Sequence, residues 1–158
     1  MMLMNIEHWQ FWELFLCKWF WCGTGGWIVA SFIKMIIAAV KTKEFDFVYL
    51  FSTGGMPSSH SAAVSALAVS VGYTYGFGSP ITTIVCGFAA VTMFDAATVR
   101  RAAGEHAKVL NAIVRDIRDL KFKPKERFRE LLGHTRLEVL CGMITGIVWA
   151  TVLCLLWK

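Results

Sequence analysis

The sequence has little that would indicate a metal centre, a disulfide framework or a multidomain chain. Its five cysteines are odd in number, lie mostly in apolar stretches and show no metal-ligand spacing. We therefore interpret them as small packing residues, and we expect neither disulfides nor a zinc site. The chain of 158 residues shows no internal repeat and no low-complexity segment, which favours a single domain over 1–158. No basic segment precedes the first hydrophobic run, so we expect no cleavable signal peptide.

Hydrophobic residues, in contrast, make up 56% of the chain, well above an ordinary soluble domain. Several runs are long enough to cross a bilayer, which takes ~20 apolar residues. One of these runs is too long for a single crossing, and the Gly- and Pro-containing stretch 76–80 predicts a turn that divides it. The fold class is therefore predicted to be all-α, an integral membrane helical bundle with about four spans, at roughly 19–40, 58–75, 80–99 and 134–157.

Residues 5–22 combine aromatic and charged residues at a rough helical spacing. We interpret this segment as an interfacial helix with aromatic anchors. The alternative is that it extends the first span as one long, tilted helix. The glycines at 23, 25 and 26 favour a break between the two.

The distribution of charge predicts the orientation in the membrane. The basic loop 100–133 holds ten Lys or Arg residues, and the loop after the first span begins with Lys41 and Lys43, whereas the turn at 76–80 is uncharged. The positive-inside rule places both basic loops in the cytoplasm of a multi-pass cell-membrane protein. Because acidic residues are interspersed in the long loop, we interpret it as a helical surface next to anionic lipid, and we expect no nucleic-acid partner.

With this topology, the unusual polar residues fall at one level of the membrane. Ionisable groups inside spans are unfavourable and usually mark function, although each one alone has a simpler explanation, such as a snorkelling lysine or a helix cap. Their shared depth favours a site. They are Lys34 and Lys41 on the first span, Ser58, Ser59 and His60 on the second, Asp95, Arg100 and Arg101 at the third, and His134 and Glu138 on the fourth.

The chemistry of these residues suits an oxyanion. Ser58 or Ser59 can cap a helix N-terminus, where free N–H groups and the positive end of the dipole favour an anion. Gly55 and its neighbour Gly54 let the backbone approach closely. An arginine at 100 or 101 could bind phosphate oxygens in a bidentate manner, with a point charge added by Lys34.

His134 and Glu138 have the spacing of two residues on one helix face. The carboxylate can keep one ring nitrogen protonated and leave the other to attack. The second histidine, His60, could then protonate the leaving oxygen.

These motifs resemble the type 2 phosphatidic acid phosphatase superfamily, which is related to acid phosphatases and vanadium haloperoxidases, and more closely its short divergent membrane branch. The superfamily's Pro-Ser-Gly-His motif stands here as Pro57-Ser58-Ser59-His60. The match covers about residues 27–150. The signatures of the divergent branch are Gly-Gly-Met-Pro-Ser-Ser-His-Ser-Ala at 54–62, Asp-Ala at 95–96, Val-Arg-Arg-Ala-Ala-Gly at 99–104, Leu-Asn at 110–111 and Leu-Gly-His-Thr at 132–135, with Glu-Val at 138–139.

The resemblance implies a covalent mechanism. It makes His134 the nucleophile that forms a phosphohistidine and Glu138, in place of the usual aspartate, the residue that orients it. It makes His60 the general acid and gives Ser58 and Ser59 contacts to phosphate oxygens.

The chain departs from the superfamily pattern at two cationic positions. The arginine six residues before the nucleophile is replaced by Phe128, which makes Arg100 or Arg101 the better candidate. The first motif is matched only as Lys34 and Lys41, with threonine in place of the proline that follows. The phosphate site is therefore rebuilt or weakened.

Asp95 has no counterpart in the superfamily motif. We expect it to pair with Arg100, and the alternative is a contact to a metal. No second carboxylate stands at ligand spacing, so the expected site holds no metal and the protein needs no cofactor.

The sequence thus predicts a metal-independent membrane phosphatase that acts on a lipid phosphate monoester or diphosphate from the cytoplasmic side. The alternative is a non-catalytic membrane protein that binds an anionic lipid headgroup or phosphate. The expected partners are the lipid phosphate substrate and membrane lipids. Gly142 and Gly146 form a small-residue stripe that either packs within the chain or serves a homodimer.

Overall fold

The computed structural model of the protein describes residues 12–43, 54–118 and 133–157. Within these ranges the chain is helical and contains no strand, which confirms the predicted all-α class. Residues 5–11 of the predicted interfacial segment 5–22, and residues 119–132 of the predicted loop 100–133, lie outside the described residues. The helices are α1 (Glu13–Leu16), α2 (Lys18–Thr42), α3 (Ser59–Tyr75), α4 (Pro80–Ala97), α5 (Val99–Arg118) and α6 (Arg136–Leu156).

Three of the described helical stretches are long and apolar enough to cross a membrane. They are α2, the stretch Pro80–Val114 that contains α4 and most of α5, and α6. With its 17 residues, α3 is shorter, and at 1.5 Å per residue it extends ~26 Å. It is the central helix of the bundle, since it contacts α2, α4 and α6.

The interface between α3 and its neighbours is built from small residues. The buried face of α3 consists of serine, alanine, glycine and one valine. On α6, a side chain at Gly142 would overlap the carbonyl oxygen of Ser58, and one at Gly146 would overlap that of Ala62. The stripe of Gly142 and Gly146 therefore packs within the chain and brings α3 and α6 close together.

The break expected at the glycines of α2 is wrong. The helix continues through 23–26, and the chain leaves helical geometry earlier, at Cys17 (φ −83°, ψ 125°). Tertiary packing explains the difference. A Cβ at Gly26 would come within 3.0 Å of the Ala66 Cβ on α3, and one at Gly25 would lie 2.6 Å from the indole of Trp149 on α6. These glycines are sites of close helix approach.

The two ends of the bundle have different chemistry. At one end, the Trp19 Nε1 donates to Thr74 Oγ1 at 3.0 Å, and the Trp19 ring stacks on Tyr75 with centroids 5.5 Å apart. Phe77 contacts Tyr73 at the same end. Tryptophan and tyrosine are typical of membrane–water interfaces. We call this the aromatic end; the opposite end, where α2 and α4 finish and α3 and α6 begin, is the polar end.

Candidate functional site

The polar end begins with a loop whose backbone requires glycine. Gly54 and Gly55 have φ values of 152° and 87°, a region that side-chain-bearing residues rarely adopt. A Cβ at Gly55 would lie 3.3 Å from Cδ of Lys34. The loop thus lies directly on the stem of Lys34, which is buried on α2 with 4% of its surface exposed.

The start of α3 is tied to the first turn of α6. Ser58 is the N-cap of α3, and its Oγ accepts from the backbone N–H of Ser61 at 3.4 Å and from the Ser61 hydroxyl at 3.0 Å. The backbone N–H of Ser58 donates to the carbonyl oxygen of Glu138 at 3.0 Å. Ser59, the first residue of α3, is also buried. The positive N-terminal ends of α3 and α6 therefore lie side by side.

His134 lies just before α6 and is held from two sides. Its backbone N–H donates to the carbonyl oxygen of Ala96, at the end of α4, at 3.2 Å. Its Nδ1 lies 3.3 Å from Oε2 of Glu138, and the two side chains are 9% and 21% exposed. The pair predicted from the spacing of the sequence is thus in contact, in a largely buried position.

Glu138 has a second contact that the sequence analysis missed. Thr135 is the N-cap of α6, and its Oγ1 accepts from the Glu138 N–H at 3.2 Å. In return, the Thr135 N–H donates to Glu138 Oε2 at 2.9 Å. This reciprocal pattern is a capping box, and its Thr-x-x-Glu signature was legible in the sequence. The carboxylate next to His134 is therefore also fixed by the backbone.

Lys34 completes a charged cluster at this end of the bundle. Its ammonium lies within electrostatic range of the Glu138 carboxylate. Lys34 lies on α2, Glu138 on α6 and His134 just before α6; the loop at Gly55 contacts the Lys34 stem, and the last turn of α4 accepts the His134 N–H. The convergence expected from the shared depth of these residues is present for this part of the site.

Other predicted site residues lie towards the surface. His60 is exposed on the first turn of α3. Lys41 is exposed in the last turn of α2, seven residues beyond Lys34, which is ~10 Å along the helix axis. Arg101 is half-exposed, and its Nε forms an ion pair with Glu105 Oε1 at 3.1 Å.

Asp95 is partly buried one residue before Ala96, whose carbonyl accepts the His134 N–H. The side chain of Arg100, its expected partner, lies outside the described part of the structure, so this pair stays a prediction. Among the described residues, no three His, Cys, Asp or Glu side chains form a group that could hold a metal ion.

Comparison with known proteins connects this geometry to a family. The model of the family described as "Divergent PAP2 family" matches residues 16–149. The chain belongs to this family. The matched range contains every site residue described above, from Lys34 to Glu138. The match confirms the resemblance inferred from the motifs around Pro57 and His134.

One curated protein is similar to this divergent PAP2 family member over most of its length. The chain is 42% identical over 137 residues to "Uncharacterized membrane protein YuiD" of Bacillus subtilis (strain 168), a match that covers 80% of this chain and 87% of that protein. No solved structure matches the chain. The relative's description and the apolar helices support a membrane location for this protein.

Proposed function

We propose that this divergent PAP2 family member is a membrane phosphatase that hydrolyses a lipid phosphate monoester or diphosphate through a phosphohistidine at His134. The observation that carries the proposal is the contact between Nδ1 of His134 and Oε2 of Glu138 at 3.3 Å. A carboxylate in this position fixes the ring and stabilises the imidazolium that forms when the other nitrogen attacks. Binding of an anion alone does not need such a carboxylate beside the histidine.

In the first step, Nε2 of His134 forms a bond to phosphorus while the bond from phosphorus to the leaving oxygen breaks. The leaving oxygen takes a proton, and we assign its transfer to His60 at the start of α3. In the second step, water attacks phosphorus and gives a proton to His60. The nitrogen–phosphorus bond then breaks and inorganic phosphate leaves.

The negative charge of the phosphoryl group is stabilised by fixed positive charge, and the proposal involves no metal. Lys34 and the adjacent N-termini of α3 and α6 supply part of this charge, with Ser58 and Ser59 at the first turn of α3. Of the two candidate arginines, we favour Arg100. It stands four residues before the buried Gly104, whereas Arg101 is engaged with Glu105.

The position of the cluster favours a lipid substrate. Its residues lie at the polar end of membrane-spanning helices, the depth at which the headgroups of a bilayer lie. The basic loop 100–133 follows from the same end and favours anionic headgroups. The positive-inside rule then places the site at the cytoplasmic face of the cell membrane.

A second candidate function is supported by the capping box. Because Thr135 holds the Glu138 carboxylate, this residue has a structural reason to be acidic that is independent of catalysis. Lys41, the second cation of the first motif, is exposed in the last turn of α2. Both observations fit a protein that binds an anionic headgroup or phosphate without turnover.

The decisive experiment measures inorganic phosphate released from a panel of lipid monophosphates and diphosphates by the purified, reconstituted full-length protein. His134→Gln tests the nucleophile, because glutamine keeps a polar side chain at the mouth of the site. His106→Gln is the matched control, since His106 is an exposed histidine on α5.

Release by the wild type and the control, but not by His134→Gln, supports the proposal. Equal release by all three proteins would exclude His134 as the nucleophile. Saturable binding of the same lipids without release by the wild type would favour the second candidate.

A further inference from the structure

α5 presents three different faces. It follows α4 after the single residue Thr98, and among the described helices α4 is its only contact. At 100° per residue, one face carries Gly104, Ala107 and Asn111, which are all buried, Asn111 with 8% of its surface exposed. This face, rich in small and polar residues, is the one turned towards protein.

The large apolar side chains of α5 lie on a different face and are exposed. Leu110 and Ile113 are 43% and 47% exposed, and Val99 and Val109 are each 59% exposed. We call these four residues the apolar face of α5. A helix that packs on a soluble core buries its large apolar residues and exposes its polar ones. Here the buried positions are small or polar, and the large apolar residues are exposed, as expected where lipid is the neighbour.

The third face of α5 is charged and exposed. Arg101, Glu105 and Lys108 occupy it, and the first two form an ion pair. At 100° per residue these residues lie on the opposite side of the helix from Val99 and Leu110. A helix with opposed apolar and basic faces is typical of segments that lie in the plane of a membrane surface.

The location of α5 places it at the bilayer. At the end of α4, the N–H and Oγ1 of Thr98 both donate to the carbonyl oxygen of Phe94, at 3.0 and 2.6 Å. α5 therefore begins at the polar end of the bundle, within one residue of a helix long enough to span. Its sequence carries five basic residues, at 100, 101, 108, 115 and 118, against two acidic ones, at 105 and 116.

We propose that α5 is an interfacial helix whose apolar face inserts into the leaflet on the polar side of the bundle, in contact with anionic lipid. An amphipathic helix of this kind inserts ~5–10 Å, at the boundary of headgroups and acyl chains. Arg101 and Lys108 then lie level with the headgroups or above them. Since positive charge predominates in the helix, anionic lipid is the partner that fits it. The proposal does not depend on catalysis at His134.

The test uses nitroxide spin labels on single cysteines in the full-length, cysteine-free protein, reconstituted in vesicles. Labels at Leu110 and Ile113 report on the apolar face, and matched labels at Glu105 and Lys108 report on the charged face. Oxygen partitions into the bilayer and a nickel chelate remains in water, so the ratio of their collision rates measures depth. Phosphatidylcholine vesicles are compared with vesicles that also contain phosphatidylglycerol. Circular dichroism of each labelled protein confirms that it is folded.

The expected result is a higher oxygen-to-nickel ratio at Leu110 and Ile113 than at Glu105 and Lys108, and a further increase at the apolar face with phosphatidylglycerol. Equal ratios on the two faces would overturn the proposal. Shielding of Leu110 and Ile113 from both reagents would also overturn it, because protein, from this chain or a second copy, would then cover the face. A ratio unaffected by phosphatidylglycerol would exclude anionic lipid as the partner.

Discussion

The carbonyl oxygen of Ser58 occupies the space that a side chain at Gly142 would need. This contact fixes the separation of α3 and α6 at the level of the site. The N–H of the same residue, Ser58, donates to the carbonyl oxygen of Glu138. The N-terminus of α3, with Ser58 and Ser59, is thereby positioned relative to the turn that carries His134. The geometry of the site therefore depends on a glycine that has no chemical role.

Gly142→Ala is expected to separate α3 from α6 and to abolish phosphate release. The atom in the way belongs to the backbone and cannot rotate aside, so the cost in stability is about 1–3 kcal/mol or more. The measurement is the thermal unfolding midpoint in detergent, together with phosphate release. Gly87→Ala is the matched control, because a Cβ at this exposed position of α4 would meet nothing within 4 Å. It is expected to leave both values unchanged or to raise stability slightly. A wild-type midpoint for Gly142→Ala would contradict the close packing.

Two substitutions of Glu138 separate its structural role from its catalytic one. Glu138→Gln keeps an oxygen that can accept the Thr135 N–H, and so preserves much of the cap, but it removes the charge behind His134. We expect near-normal thermal stability and a turnover rate lower by about 10²–10⁴-fold. Glu138→Ala removes both the acceptor oxygen and the charge, and should also lower the stability of the protein by ~1 kcal/mol. Equal activity in wild type and Glu138→Gln would show that the carboxylate acts only as a helix cap and has no catalytic role.

His60→Ala tests the assignment of the general acid. If His60 protonates the leaving oxygen, its loss should slow cleavage of an alkyl phosphate by about 10²–10⁴-fold, but should have little effect on an activated aryl phosphate. The reason is that a good leaving group departs without a proton. The measurement is single-turnover phosphoenzyme formation on both substrates. Equal losses on the two would indicate that His60 binds or positions the phosphate instead.

Much of this arrangement is predictable because membrane helices leave strong signals in a sequence. The apolar runs predict the helices, and polar residues at the ends of those runs predict the meeting of Lys34, Ser58 and His134. The path of α2 was mispredicted, because glycine lowers helix propensity locally while packing against Ala66 and Trp149 stabilises the helix from outside. Arg101 and Glu105 stand four residues apart on one helix face, and their ion pair competes with any role of Arg101 in binding phosphate.

Cys22 and Cys154 offer a test of the helix packing itself. Their sulfur atoms lie 3.9 Å apart, on α2 and α6 near the aromatic end, and a disulfide requires ~2.05 Å. Mild oxidation with copper phenanthroline should therefore join them within one chain, with loss of one hydrogen from each thiol. Mass spectrometry of the digested protein would detect the linked peptides, and Cys22→Ser would remove them. Cys86, exposed on α4, is the control thiol that should remain alkylatable in the monomer. Free alkylation of Cys22 and Cys154 after oxidation would contradict the packing of α2 on α6.

The last prediction concerns orientation, because it decides which leaflet the site can reach. Lys43 follows the end of α2 and Lys123 lies in the basic loop, whereas Ser79 lies in the uncharged turn at the other end of the bundle. The positive-inside rule places the first two in the cytoplasm. Single cysteines at Lys43 and Lys123 should therefore be protected from a membrane-impermeant thiol reagent in intact cells, and one at Ser79 should react. Permeabilised cells, in which all three should react, provide the control. The opposite pattern would invert the topology. His134 and Lys34 lie at the polar end whichever way the bundle is inserted, so an inverted topology would place the site on the outer face of the membrane.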